Sequence, residues 1–271
     1  MKVKSLSLAV AILFCAALFQ SCSKDGEGSG ASWFNLFSIE DDKEMGAQLD
    51  AEIRSNPQEY PILSETDYPS AYQYIREIRD EILATGKVEH KDDFDWPVTI
   101  IEDDATLNAF VAPGGFIYVY TGIIKYLDSK DQLAGVMGHE IAHADLRHST
   151  EALTKQTSLS LIIDVLAGDN QGAITQLAEG LIGLKFSRSN ESQADEYSVI
   201  YLCPTSYNAA GAAGFFEKIE AEGSSTPPQF LSTHPNPDNR VEAINEKETE
   251  LGCSGTDTFD QDYADFKNSL P

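Results

Sequence analysis

Basic residues are scarce in this chain of 271 residues. It has 19 lysines and arginines against 44 aspartates and glutamates, which gives a formal net charge of −25. Such an acidic surface repels phosphate backbones, so the composition argues against nucleic-acid binding through a basic patch. The apolar share of 42% still suffices for a hydrophobic core, which excludes wholesale disorder. The length predicts one large domain or two small ones.

Long hydrophobic runs are absent beyond the N-terminus. Two apolar stretches lie between Ser158 and Phe186, but Asp164 and residues 168–170 interrupt them. Neither stretch holds the roughly 20 apolar residues that a membrane span needs. We therefore interpret both stretches as packed helices.

The N-terminus has the pattern of an export signal. Lys2 and Lys4 precede an apolar segment, residues 6–19, that is short for a membrane span. Cys22 follows at once and is preceded by a serine, which resembles a bacterial lipoprotein signal with Cys22 as the lipidated first residue. We predict a signal peptide at residues 1–21 and a Gly/Ser-rich linker at 22–40. The alternative is an ordinary cleaved signal, an incidental Cys22 and a protein secreted to the periplasm.

Cysteines are few as well. Of four in the chain, Cys15 lies in the signal and Cys22 is the predicted anchor, which leaves Cys203 and Cys253. An even pair in an exported protein predicts one disulfide. Neither residue belongs to a CxxC motif, so a thiol-based active site is not expected.

The rest of the chain predicts an α+β, mainly helical fold. A hairpin is expected in residues 108–120, around Pro113 and two glycines. A capping box of Ser129 and Gln132 should start the next helix. The tail at residues 251–271 is acidic and poorly patterned, which leaves one main domain at about 41–250. Helices are expected at residues 34–54, 71–83, 133–148, 191–202, 209–221 and from 240 onward.

The most informative motif is His139-Glu140-Ile141-Ala142-His143. Two histidines four positions apart on a helix project to one side and can share Zn²⁺, while Glu140 can reach a water there as general base. The alternative is a surface helix with scattered polar residues. The surrounding sequence is apolar, however, and burying these groups is costly unless they are paired or bind metal.

A catalytic zinc takes three protein ligands and keeps one position open. The metzincin motif would place a third histidine at position 149, which is a serine here. Glu191 is the best candidate for the third ligand, and Asp195, one turn later, would accept the outer N–H of a ligand histidine. Without the upstream motif, this acidic pair would be interpreted as a solvated helix face.

These residues resemble the HtpX/CAAX-prenyl-protease-like family of gluzincin zinc metallopeptidases, over roughly residues 44–245. The resemblance implies a zincin-type domain in which a small antiparallel sheet packs on the HExxH helix. The matching segments are Asn108–Phe110, Pro113–Gly115, Tyr120–Gly122, Leu133–Val136, HEIAH with Arg147 and His148, Ser187-Arg188, Glu191, Ala194-Asp195, Ser232–Pro235 and Arg240.

The resemblance also implies the role of each matching residue. The zinc ligands are His139, His143 and Glu191, for one Zn²⁺ per chain; the base is Glu140, with Asp195 behind the metal. Asn108 and Ala109 are implied to lie on an edge strand that aligns an extended substrate. By itself, Asn108 would be interpreted only as the end of a strand.

His234 and Arg240 are implied to approach the same centre. They are candidate oxyanion donors, and His234 has a second interpretation as a residue that fills the open metal position and keeps the enzyme latent. On general grounds, a histidine in a proline-rich loop is more often a surface residue. His148 is expected to be structural, and His90 is assigned no role.

We therefore expect a metalloprotease of the bacterial cell envelope, lipid-anchored at the outer membrane. Its expected substrates are extended, unfolded or misassembled envelope proteins, with a role in protein quality control. One rival is a chaperone-like lipoprotein whose proteolysis is latent or secondary. Another is a structural lipoprotein stabilised by zinc, but a structural site needs neither Glu140 nor an open position.

Overall fold

A computed structural model describes residues 35–158, 183–222, 228–235 and 239–271, together with residues 162, 172, 176, 180 and 181. The predicted signal peptide, Cys22 and most of the predicted linker lie outside the described residues. So do most of the two apolar stretches between Ser158 and Phe186.

The described part of the chain is mainly helical, with one small sheet. The strands are β1 (Val98–Ile101), β2 (Ala109–Ala112) and β3 (Phe116–Tyr120). The helices are α1 (Ile39–Ser55), α2 (Pro69–Ala84), α3 (Thr121–Tyr126), α4 (Lys130–Asp145), α5 (His148–Gln156), α6 (Arg188–Leu202), α7 (Gly211–Glu222), α8 (Gln229–Thr233), α9 (Arg240–Leu251) and α10 (Asp260–Asn268). The predicted α+β, mainly helical fold is confirmed.

The sheet has the strand order β1-β3-β2, so β2 is an edge strand. β2 and β3 form the predicted hairpin, in which Gly114 and Gly115 supply positive φ angles of 75° and 81°. The expectation of a wholly antiparallel sheet is wrong in one respect, since β1 runs parallel to β3. Along the chain β2 comes directly after β1, but in the sheet β3 lies between them. β3 runs parallel to β1 and antiparallel to β2.

Helix α4 is the centre of the core. Helices α6 and α7 pack on α4, and strand β2 contacts it from the sheet, so the helix is enclosed. Close approach depends on glycines, because a Cβ on Gly135 would lie 2.2 Å from the backbone nitrogen of Ala212. Gly138 likewise faces Ser198 of α6. An apolar helix enclosed in this way carries its polar residues into the interior, where they need partners.

The predicted capping box at the start of α4 is wrong. Ser129 is the N-cap residue, but its hydroxyl donates to the Asp131 carboxylate, and the Gln132 side chain accepts the backbone N–H of Asp128. The helix also ends at Asp145, before the predicted end, because Arg147 adopts a left-handed φ of 57° and α5 begins there. Because the helix breaks at Arg147, His148 begins a new helix instead of continuing along a face of α4.

The acidic tail packs against the domain. Helix α10, which the sequence pattern did not predict, buries Tyr263 and Phe266 in the main core. A disulfide joins Cys203, at the end of α6, to Cys253, just after α9. In the described part of the chain, no helix is long and apolar enough to cross a membrane.

We expect the double variant Cys203→Ser/Cys253→Ser to lower the free energy of unfolding by up to about 4 kcal/mol. The crosslink closes a loop of 50 residues, and its removal returns that chain entropy to the unfolded state. Urea unfolding of the purified protein, with and without reductant, measures the change. Two free thiols in the unreduced wild type would contradict the crosslink.

Candidate metal centre

Four buried side chains converge beside α4. The potential metal ligands are His139, His143, Glu191 and His234, and one donor atom from each lies within 4.8 Å of all the others. They come from three separate places, since α4 supplies the first two, α6 supplies Glu191, and His234 caps α8. The structure therefore brings together three predicted ligands and the histidine for which two roles were left open.

The donor spacing fits a tetrahedral cation. The Nε2 atoms of His139 and His143 are 3.0 Å apart, and they lie 3.5 and 3.3 Å from the Glu191 carboxylate. Nδ1 of His234 is 3.3 Å from His139 Nε2 and 3.1 Å from Glu191. Nitrogen and oxygen ligands around tetrahedral zinc are about 3.3 Å apart, so these donors are suited to that metal.

Local structure explains how Glu191 reaches this centre. Helix α6 begins with a capping box, in which Ser187 accepts the N–H of Asn190 and the Asn190 side chain accepts that of Ser187. Glu191 follows in the first turn, where a carboxylate is favoured by the helix dipole. Four residues later, Asp195 Oδ1 lies 2.9 Å from Nδ1 of His139. This carboxylate fixes the outer nitrogen of His139 as the donor and leaves Nε2 for a metal.

Electrostatics at the centre oppose the cost of burial. Burial alone would raise the pKa of Glu191, but hydrogen bonds from His139, His143 and His234 outweigh it and hold the pKa below its usual range. Burial also disfavours a charged His139, yet Asp195 and Glu191 raise its pKa to about 9. The pKa of His143 is lowered, with burial as the largest cause. Glu191 is thus a carboxylate, which is the form that binds a cation.

Glu140 is the least satisfied polar group of the site. Its side chain is 1% exposed, and neither carboxylate oxygen has a hydrogen-bond partner in the described structure. Burial raises its pKa. Nε2 of His234, 3.5 Å from Glu140 Oε1, also lacks a hydrogen bond. Buried polar atoms without partners are costly, so this pair marks a position where a further polar group belongs.

Arg240 lies behind the ligands. Its Nε and Nη2 atoms are 2.6 and 2.9 Å from the two carboxylate oxygens of Asp195, and Nη2 is 2.8 Å from Glu191. Arg240 is 2% exposed, and its guanidinium carbon lies 4.0 Å from the centroid of the Phe216 ring. These contacts favour a positioning role for Arg240; its predicted oxyanion role stays a prediction.

The edge strand β2 lies next to the centre. Asn108 is buried, and its carbonyl accepts the N–H of Tyr120, so residues 108, 110 and 112 direct their backbone groups toward β3. Ala109 and Val111 therefore direct theirs to the outer edge, where no described residue pairs with them. A cavity of about 320 Å³ follows this edge and extends to His234.

Two histidines remain outside the ligand set. His148, expected only to be structural, is 1% exposed and contacts Nδ1 of the ligand candidate His143 at 3.0 Å. Sequence spacing could not reveal this contact, because it depends on the left-handed Arg147. His90 bonds Asp93 in its loop, away from the centre, as expected of a residue without an assigned role.

We expect Arg240→Met to lower the free energy of unfolding of the metal-free protein by about 3–5 kcal/mol, because it leaves two buried carboxylates without their cation. Urea unfolding in the presence of a chelator measures the change. Arg76→Met is the matched control: Arg76 forms an exposed ion pair with Glu65, and its removal should cost at most about 1 kcal/mol. Equal effects of the two variants would contradict this account.

Comparison with known proteins places the chain in a family. Residues 69–248 match Peptidase family M48. The chain is 32% identical to the mitochondrial metalloendopeptidase OMA1 of Schizosaccharomyces pombe, over 79% of this chain and 63% of that protein. It is 28% identical to a putative beta-barrel assembly-enhancing protease of Vibrio cholerae, over 71% and 41%. For the beta-barrel assembly-enhancing protease of Escherichia coli K12 the identity is 26%, over 88% and 50%.

The chain thus spans between 41% and 63% of the length of these relatives. The family match covers more than half of the chain and contains all the potential metal ligands. It agrees with the metallopeptidase resemblance found in the sequence, which is thereby confirmed. The chain belongs to Peptidase family M48.

Proposed function

We propose that this protein is a zinc-dependent metalloendopeptidase with one Zn²⁺ held by His139, His143 and Glu191. The observation that carries the proposal is the convergence of these donors, at tetrahedral spacing, beside a buried glutamate without a partner. The family match adds that such chemistry is typical of its members. We place the catalytic domain at about residues 41–250, with the disulfide-linked tail packed against it.

When bound, zinc supplies a Lewis acid that lowers the pKa of a water molecule and polarises the scissile carbonyl. Glu140 accepts the proton of the attacking water and later delivers it to the leaving amine. Its raised pKa, caused by burial, suits a group that both takes up and returns a proton. Asp195 and Arg240 hold His139 and Glu191 in place during these steps.

The substrate backbone aligns with β2. Ala109 and Val111 present backbone donors and acceptors to the outer edge, so an extended peptide adds as a further strand. Backbone pairing of this kind requires an unstructured segment and selects little by side chain. Asn108, whose buried Oδ1 has no hydrogen-bond partner, lies at the end of this edge and offers a polar contact to the peptide.

His234 acts as a latch in this proposal. Its Nδ1 lies among the ligand atoms, where it completes a set of four donors and takes the position that a water needs. The same short helix is tied to the substrate edge, because the N–H of Phe230 in α8 donates to the carbonyl of Leu107 at 3.0 Å. A peptide that docks on β2 would meet α8 and displace it. The oxyanion role of His234 is the alternative.

The biological role follows from the relatives and the N-terminal pattern. We infer that the protein is a lipoprotein of the bacterial cell envelope, anchored through Cys22 at the outer membrane. Its substrates are unfolded or misassembled envelope proteins, consistent with the names of the bacterial relatives. With His234 as a fourth donor, no metal position is left open for water. This arrangement also fits a chaperone-like protein that binds clients and keeps proteolysis latent.

We expect Glu140→Gln to keep bound zinc and to reduce cleavage of an unfolded outer-membrane protein by about 10²- to 10⁴-fold, since it removes the base but no ligand. Metal analysis and gel-based cleavage measure both quantities. Glu77→Gln, on the exposed face of α2, is the matched control. Cleavage by Glu140→Gln at the wild-type rate would reject the hydrolytic mechanism. Client binding without any cleavage by the wild type would favour the chaperone alternative.

We expect His234→Ala to increase the cleavage rate, because it opens the fourth metal position while three ligands remain. The rate is measured at equal zinc occupancy, with His90→Ala as the control for loss of a histidine outside the centre. A large loss of cleavage with zinc retained would support the oxyanion role and reject the latch.

A further inference from the structure

His148 is a buried histidine to which the proposed mechanism gives no task. It begins α5, directly after the break that follows α4. One ring nitrogen, Nδ1, is 3.0 Å from Nδ1 of His143, and the other, Nε2, is 3.2 Å from Oε1 of Gln193 on α6. The three side chains form a continuous line from the metal position toward the partly exposed surface of α6.

Hydrogen positions along this line follow from the chemistry of imidazole. A neutral imidazole that binds a metal through Nε2 carries its proton on Nδ1. His143 must then donate from Nδ1, so Nδ1 of His148 is the acceptor. The proton of His148 therefore lies on Nε2, where the carbonyl oxygen of Gln193 accepts it. The reverse assignment would set two donors face to face between His143 and His148.

The surroundings fix the two rings in this relation. Arg147 holds its left-handed conformation through bonds to the buried Asp42 of α1, with Nε 2.6 Å from Asp42 Oδ2, and through a bond to the carbonyl of Phe37. The ring of Phe186 stacks on His143 at 3.9 Å. Neither ring can turn without losing these contacts or the hydrogen bonds of the line.

We propose that His148 and Gln193 are positioning residues that hold His143 in the Nδ1-protonated tautomer and so present Nε2 to the metal. The inference rests on the proposed ligation of the metal by His143. The two ligand histidines then have different supports. His139 is held by the carboxylate of Asp195, whose charge Arg240 offsets. His143 is held by the uncharged side chains of His148 and Gln193, which together form the relay. Arg240 already contacts both Asp195 and Glu191, so a further carboxylate behind His143 would lack a compensating cation.

Zinc affinity tests the proposal without relying on activity. Partners behind a metal-bound histidine contribute about 10- to 100-fold to metal affinity, so we expect His148→Leu to weaken zinc binding by that factor in a chelator competition. His148→Asn places an amide oxygen near the position of Nδ1 and should recover much of the loss. Gln193→Leu, at a partly exposed position, should also weaken zinc binding. His90→Leu is the control and should bind zinc as the wild type does.

Two results would overturn the proposal. The first is an unchanged zinc affinity for both His148→Leu and Gln193→Leu, whose folding is checked by circular dichroism. The second is an imidazole ¹⁵N spectrum of the zinc-loaded wild type that shows His148 protonated on Nδ1 rather than Nε2. With five histidines in the chain, single variants assign this spectrum. The spectrum decides the question even if a His148 variant does not fold.

Failure of the relay is distinguishable from failure of the proposed function. Wild-type protein that binds zinc tightly but does not cleave unfolded clients rejects the peptidase mechanism, and the relay can still be tested by affinity and tautomer. Protein that cleaves clients while Gln193→Leu and His148→Leu bind zinc normally rejects the relay alone.

Discussion

A buried carboxylate at the centre of the helices is the constraint on which the rest of the structure depends. Glu191 is inaccessible to solvent, and Asp195 lies one turn away with 4% exposure. Two negative groups in such surroundings are costly unless positive charge and hydrogen bonds reach them. Arg240 and the histidines supply both. The packing of α9 against α6, which brings Arg240 to these carboxylates, is therefore part of the site as much as of the core.

This constraint also explains why the helices approach so closely. The glycines of α4 let α6 and α7 come near enough for His139 and His143 to meet Glu191. The polar groups of the site differ in how well they are bonded. His139, His143 and Glu191 have hydrogen-bond partners, whereas both carboxylate oxygens of Glu140 and Nε2 of His234 have none in the described structure. Unsatisfied groups in an otherwise satisfied interior are typical of functional positions.

The centre is coupled to distant parts of the chain in two ways. Helix α1 contacts the segment after α4 through the Asp42–Arg147 ion pair, which sets the direction of His148. Helix α8 connects the cluster of potential metal ligands to the edge strand, since His234 caps it and its Phe230 is bonded to Leu107 just before β2. Both connections join residues that are far apart in sequence, so the positions of His148 and His234 depend on contacts that form only on folding.

The sequence by itself indicated the helical content, the hairpin and the cysteine pair, and it picked out the HExxH histidines and Glu191 with Asp195 as candidate metal-site residues. These follow from periodicity, turn residues and fixed spacing, which are local, and from several motifs in a shared order. Tertiary structure alone decided the parallel pairing of β1, the start of α4 without its capping box and the packing of α10. It also decided that Arg240 contacts two carboxylates, that His234 lies among the potential metal ligands and that His148 contacts His143. Those contacts join elements that pack together only after folding, and local pattern carries no information about such distances.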